Sequence, residues 1–167
     1  MAGGATAGSG DTSRVRPWSV EEWGPEDEPL PDSRAGARRL ALEALYWVSA
    51  SPGQLEDALR QRATSAHLRS ENVEFASRLA RAVLEHTTEL DELIAATATN
   101  WHRDRIARLD GLVLRLGAAE LLYLEDVPAR VAIDQAVELA RAYGGGKSHA
   151  FVNGVLDGIA RARGIQM

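Results

Sequence analysis

The chain has 167 residues and a mass of 18.0 kDa, and 45% of those residues are apolar, enough for one domain with a packed core. It has no cysteine, which excludes disulfide frameworks, thiolate metal sites and thiol nucleophiles, and makes the reducing cytoplasm its expected address. The net charge of −5 rules out a globally basic nucleic-acid binder while leaving room for a local basic patch, and neither a bilayer-spanning apolar run nor a secretory signal is present.

Residues 1–35 hold four of the six prolines and five of the fifteen glycines, and their seven acids against three arginines account for −4 of the net charge. This composition predicts a disordered acidic tail. Trp18 and Trp23 stand out in it, as either a short docking motif or loose packing against the domain. From Gly36 onward the apolar spacing is helical throughout, and it predicts an all-α bundle of about seven helices. Ser33 caps a first helix with Ala37, Leu40, Ala41, Ala44, Leu45 and Val48 on one stripe. Pro52 and Gly53 break the chain before a second helix, which carries Leu55, Ala58, Leu59 and Ala63 and runs to about His67. Ser70 is the expected cap of a long third helix that bends near Thr87 and Thr88 and stops near Trp101. A fourth helical region spans 104–124, Pro128 interrupts it, and 131–143 forms the next helix. Gly144, Gly145 and Gly146 are expected to end that helix in the left-handed conformation, and Ser148 to cap the last one, whose buried stripe is Phe151, Val152, Val155, Leu156 and Ile159.

No catalytic pattern emerges. His67, His86, His102 and His149 have no paired-ligand spacing, so no metal or cofactor is expected. Gly146, Lys147 and Ser148 imitate the end of a phosphate-binding loop, but Arg141 stands where that pattern requires glycine. Asp110, Glu120, Asp134 and Glu138, with Arg115, read as solvated faces or inter-helix pairs. Arg34, Arg38 and Arg39 cluster at the start of the first helix with no intervening acid. They are either plain charged surface or, since they gain nothing from the positive end of the helix dipole, a site for phosphate oxygens. Lys147, in a glycine loop before a helix, is a second candidate of that kind.

Residues 128–157, PARVAIDQAVELARAYGGGKSHAFVNGVLD, resemble the transcription antitermination factor NusB family closely, above all in 131–140, the Ser148–His149 step and 151–157. The opening ARRLALEALY at 37–46, Trp101, Leu114–Arg115 and Glu120–Leu121 support the resemblance, which covers about 36–163. It implies two helical subdomains, roughly the first three helices and then the rest, and no catalytic activity. It further implies binding to boxA RNA of ribosomal RNA operon leaders together with the ribosomal protein NusE, in a complex with other Nus factors and RNA polymerase. By the same resemblance Arg34, Arg38, Arg39, Tyr143, Lys147 and Ser148 contact RNA, with a base stacked on Tyr143, while Tyr46 and Asp110 belong to the protein-partner surface. Lys147 stands where the family often has an acid, and should steepen the salt dependence of binding. The FVNG stretch, including Asn153 and Gly154, is expected to serve packing. A homodimer is left open, and so is a protein-only helical scaffold that binds no specific RNA. An enzyme is the least expected reading, since 167 residues leave no room for the methyltransferase domain that accompanies a similar fold elsewhere.

Overall fold

The computed structural model describes residues 29–49, 54–98 and 108–167, which form seven helices and, among them, no strand. Outside these residues lie most of the expected tail with Trp18 and Trp23, the break at Pro52 and Gly53, Trp101 and His102, and the beginning expected for the fourth helical region.

Helix α1 (Arg34–Val48) starts where Ser33 leaves extended backbone and its Oγ accepts the Gly36 N–H at 3.3 Å. Gly36 is required there, because a Cβ would run into the Pro31 carbonyl oxygen. Residues 30 and 32, which the composition assigned to the tail, make contacts with the bundle. Leu30 is buried in the core, and Asp32 accepts from the Arg69 backbone N–H and side chain and from Asn72. The stripe expected on α1 is also too narrow, since the helix is covered on nearly every side and only Arg34, Ala35 and Trp47 are exposed. Helix α2 (Leu55–Ala66) ends in His67, whose φ of 56° is the only left-handed non-glycine value among the described residues.

The long third helix is in fact two, α3 (Ser70–Glu85) and α4 (Thr87–Thr97), broken at His86. Thr87 turns its hydroxyl back onto the Val83 carbonyl at 2.8 Å, an alternative bond that favours a bend where the residue is also β-branched. Arg69, not Ser70, occupies the N-cap position of α3, and no side chain caps it. Helix α5 (Arg108–Tyr123) is followed by α6 (Ala129–Tyr143), which starts two residues earlier than expected because Pro128 stands directly before its first turn. Helix α6 ends at Gly144 in extended backbone, with φ −96° and ψ 179°. Glycine is needed there for room instead of for a left-handed turn, since a Cβ would come within 2.6 Å of Ser148. The left-handed glycine falls at the end of α7 (Ser148–Ala162), where Gly164 (φ 66°) lets the Ile165 N–H reach the Ala160 carbonyl at 2.9 Å.

Helices α1, α2 and α3 pack on one another, α4 to α7 form the second group, and α5 touches both. One continuous core therefore runs from Leu30 to Ala160. Within it, Gly117 brings α5 close to its neighbours: a Cβ there would lie 2.7 Å from Leu156 and 2.8 Å from Ala136. Asn153 and Gly154, expected to serve packing, are exposed on the outer side of α7, and nothing lies within 4 Å of a Cβ at Gly154. The rest of the α7 stripe is inside as expected, with Phe151 half-buried.

Candidate nucleic-acid interface

The opening of α1 divides its arginines among three directions. Arg34 and Arg38, four residues apart, share a side of the helix, and both guanidiniums lie over the Phe75 ring, at 4.3 and 5.2 Å from its centroid. Beyond the ring they part. Arg34 reaches outward and donates to Asp126 Oδ2 at 3.3 Å. Arg38 turns inward, and its Nε donates to both Glu120 oxygens at 2.8 and 3.0 Å while its Nη2 donates to Oε1, with side-chain exposures of 5% and 1% for the pair. The Arg38 guanidinium, expected to touch RNA, has its forks filled here by a carboxylate from α5.

Arg39 lies roughly a third of a turn further round and donates through Nε to the Tyr143 hydroxyl at 3.0 Å, its guanidinium 5.8 Å from that ring. Tyr143 in turn donates to Glu43 Oε1 at 3.2 Å, and buried Glu43 also accepts from Arg62 at 2.7 Å. Tyr143, expected to stack a base, is 5% exposed and presents little of its ring to solvent. Burial, and then the Glu43 charge, push its hydroxyl up to about 12. The tyrosine ties the end of α6 to the start of α1, which sets the α6–α7 loop beside the arginines.

In that loop Lys147 is exposed, its carbonyl accepts from the Phe151 N–H at 3.2 Å, and its ammonium has no partner among the described residues. Ser148 is buried and does not cap α7; its hydroxyl donates to Asp110 Oδ2 at 2.9 Å. The other Asp110 oxygen, Oδ1, is buried without a hydrogen-bond partner among the described residues. Tyr46, assigned to a partner surface, is 1% exposed and sits beneath the Arg108 guanidinium at 4.9 Å. Of the eight candidates, then, Arg34 and Lys147 face outward, Arg39 is half-buried, and the others face inward or hold their neighbours.

The sequence reading missed Arg78. It stands one helical turn after Phe75 and donates to Asp126 Oδ1 at 2.6 Å, beside Arg34 on the same carboxylate. That spacing from a buried aromatic was legible, whereas nothing local marked Asp126. Its carboxyl is held below the usual range, first by the Arg78 hydrogen bond. Among the described residues no group of three or more His, Asp or Glu could hold a metal ion, and no helix is long and apolar enough to cross a membrane.

Seven helices among the described residues, with Arg34, Arg78 and Lys147 exposed, define an all-helical protein. The NusB family model matches residues 35–161, and the chain belongs to that family. It is 42% identical over 133 residues to a protein of Dehalococcoides mccartyi (strain CBDB1) named transcription antitermination protein NusB, covering 80% of this chain and 93% of that one. Among solved structures, T. maritima NusB is similar with a TM-score of 0.71 at 34% identity, covering 77% of this chain and 91% of that one. A chain from a crystal structure of the antitermination factors NusB and NusE in complex with dsRNA is similar with a TM-score of 0.68 at 28% identity, covering 77% and 96%.

Proposed function

We propose that this chain is a cytoplasmic, non-catalytic transcription antitermination factor. It binds boxA RNA of ribosomal RNA operon leaders together with NusE, and helps to assemble other Nus factors on RNA polymerase. The observation that carries the reading is the likeness to a chain solved with NusE and dsRNA, together with the exposed cations Arg34 and Lys147 and the half-buried Arg39. Arg34, Arg39 and Lys147 are the groups that meet RNA, and Arg38, Tyr143 and Ser148 hold them in place. Tyr46 is buried and Asp110 half-buried, which favours a NusE surface made mainly of other residues.

The test titrates fluorescent boxA RNA and a scrambled control against the protein, alone and with NusE, across about 50 to 200 mM salt. Preference for boxA that NusE tightens is expected. Three or four phosphate contacts to a single strand give a log K against log salt slope of about −2 to −3. Equal binding of both RNAs in both conditions overturns the reading and leaves a protein-only scaffold.

A further inference from the structure

We propose that Arg34 and Arg78 form a two-guanidinium clamp for one phosphate of a bound strand, and that the Asp126 carboxylate occupies this clamp when no strand is present. The inference rests on the RNA reading above and adds Arg78 and Asp126 to it.

Asp126 lies between α5 and α6, and each of its two oxygens takes one guanidinium, Oδ2 from Arg34 on α1 and Oδ1 from Arg78 on α3. A phosphodiester offers the same pattern, one negative charge shared by two oxygens able to accept from two forks. The clamp is preset. Arg34 is stacked over Phe75, whose ring is otherwise buried, so its fork is oriented before any ligand arrives. Neither arginine pairs with another carboxylate among the described residues, so two cations share one anion and a positive charge is left over.

Exposure decides whether the carboxylate can be exchanged. The side chains of Arg34, Arg78 and Asp126 are 50%, 48% and 44% exposed, in contrast to the sealed Arg38–Glu120 pair in the next layer inward. Surface ion pairs of this kind contribute little, so a phosphate with neighbours already bound along the same strand can displace Asp126. Asp126 then keeps the two guanidiniums together and weakens their capture of stray anions.

The test uses the full chain with Arg78→Gln, Asp126→Asn and the double variant, titrated with boxA RNA over a range of salt. Urea unfolding confirms that each variant folds, which their exposure leads one to expect. Arg78→Gln should flatten the log K against log salt slope by about 0.7, the loss of one single-strand phosphate contact. Asp126→Asn should tighten RNA binding by about two- to fivefold, the scale of one surface ion pair. That gain should shrink when Arg78→Gln is also present. An unchanged slope for Arg78→Gln, or an Asp126→Asn variant that binds no more tightly, overturns the clamp while leaving the RNA reading intact. If the wild-type chain binds no RNA at all, the RNA reading fails and pyrophosphate decides the clamp. Protection of the wild-type chain from thermal unfolding that is lost in Arg78→Gln sustains the clamp, and its absence refutes it.

Discussion

Replacing Arg38 by alanine should unfold the protein far more readily while telling little about RNA. Among the described residues the guanidinium supplies every hydrogen bond to the Glu120 carboxylate, and both side chains are almost fully enclosed. Without it an ionised carboxylate stays buried between α1 and α5 with no counter-charge, a change that costs about 3–5 kcal/mol. A cation over Phe75 is lost as well, worth about 1 kcal/mol. Against a total stability of about 5–15 kcal/mol this is a large share. With a urea dependence of about 2 kcal/mol per molar, the unfolding midpoint followed by far-UV circular dichroism should fall by about 2–3 M. Arg38→Met with Glu120→Leu should recover most of that loss, because a matched apolar replacement removes both buried charges together. An Arg38→Ala midpoint close to wild type, with RNA affinity nevertheless lost, would refute the argument and return Arg38 to the RNA face.

Two glycine substitutions should act in opposite directions. Gly154→Ala, on an open helix face, should raise stability by about 0.5–1 kcal/mol, and Gly117→Ala, pressed against Leu156 and Ala136, should lower it by about 1–3 kcal/mol; chemical unfolding that gives both the same sign contradicts the packing described. Because the folded state holds the Tyr143 proton more tightly than the unfolded chain, its contribution is fully present below about pH 10 and is lost as pH rises towards about 12. Tyr143→Phe should therefore lose stability less steeply over that interval in unfolding measured at successive pH values, and parallel curves would exclude the effect. Deleting residues 1–28, which spares buried Leu30 and the Asp32 contacts, should strengthen RNA binding at low salt with a gain that fades as salt rises, if the acidic tail competes for the arginine face. Unchanged affinity at low salt rules that competition out.

Helix positions were legible because apolar periodicity is a local property. The stripes of α3, α6 and α7 read directly from three- and four-residue spacing. What failed was whatever depended on distant sequence. Arg38 looked like surface because its partner, Glu120, is 82 residues away, and Tyr143 looked available because Arg39 and Glu43, which enclose its hydroxyl, lie about a hundred residues earlier. Ser148 has the chemistry of a cap but spends its hydroxyl on Asp110, a choice made by the packing of α7 against α5. Gly144 was recognised as a necessary glycine, though for conformational freedom when the actual constraint is the close approach of Ser148.

Resemblance to a family identifies positions, and packing decides what each position can do. Three arginines within six residues looked equivalent as sequence, yet Arg34 at the open end of α1 reaches solvent, Arg38 one turn further along the same side is enclosed, and Arg39 lies against Tyr143. Only outward cations can exchange their present partners for phosphate, because an enclosed ion pair offers no path for the incoming anion and resists separation. The inward residues nevertheless bear on the same face: Arg38 fixes α1 to α5, and Tyr143 fixes the end of α6 to α1. The spacing among Arg34, Arg78, Arg39 and Lys147 therefore depends on enclosed groups, and on the proposed RNA reading substitutions at either class should weaken binding alike. Stability separates them, since loss of an outward cation leaves the core closed while loss of Arg38 opens it.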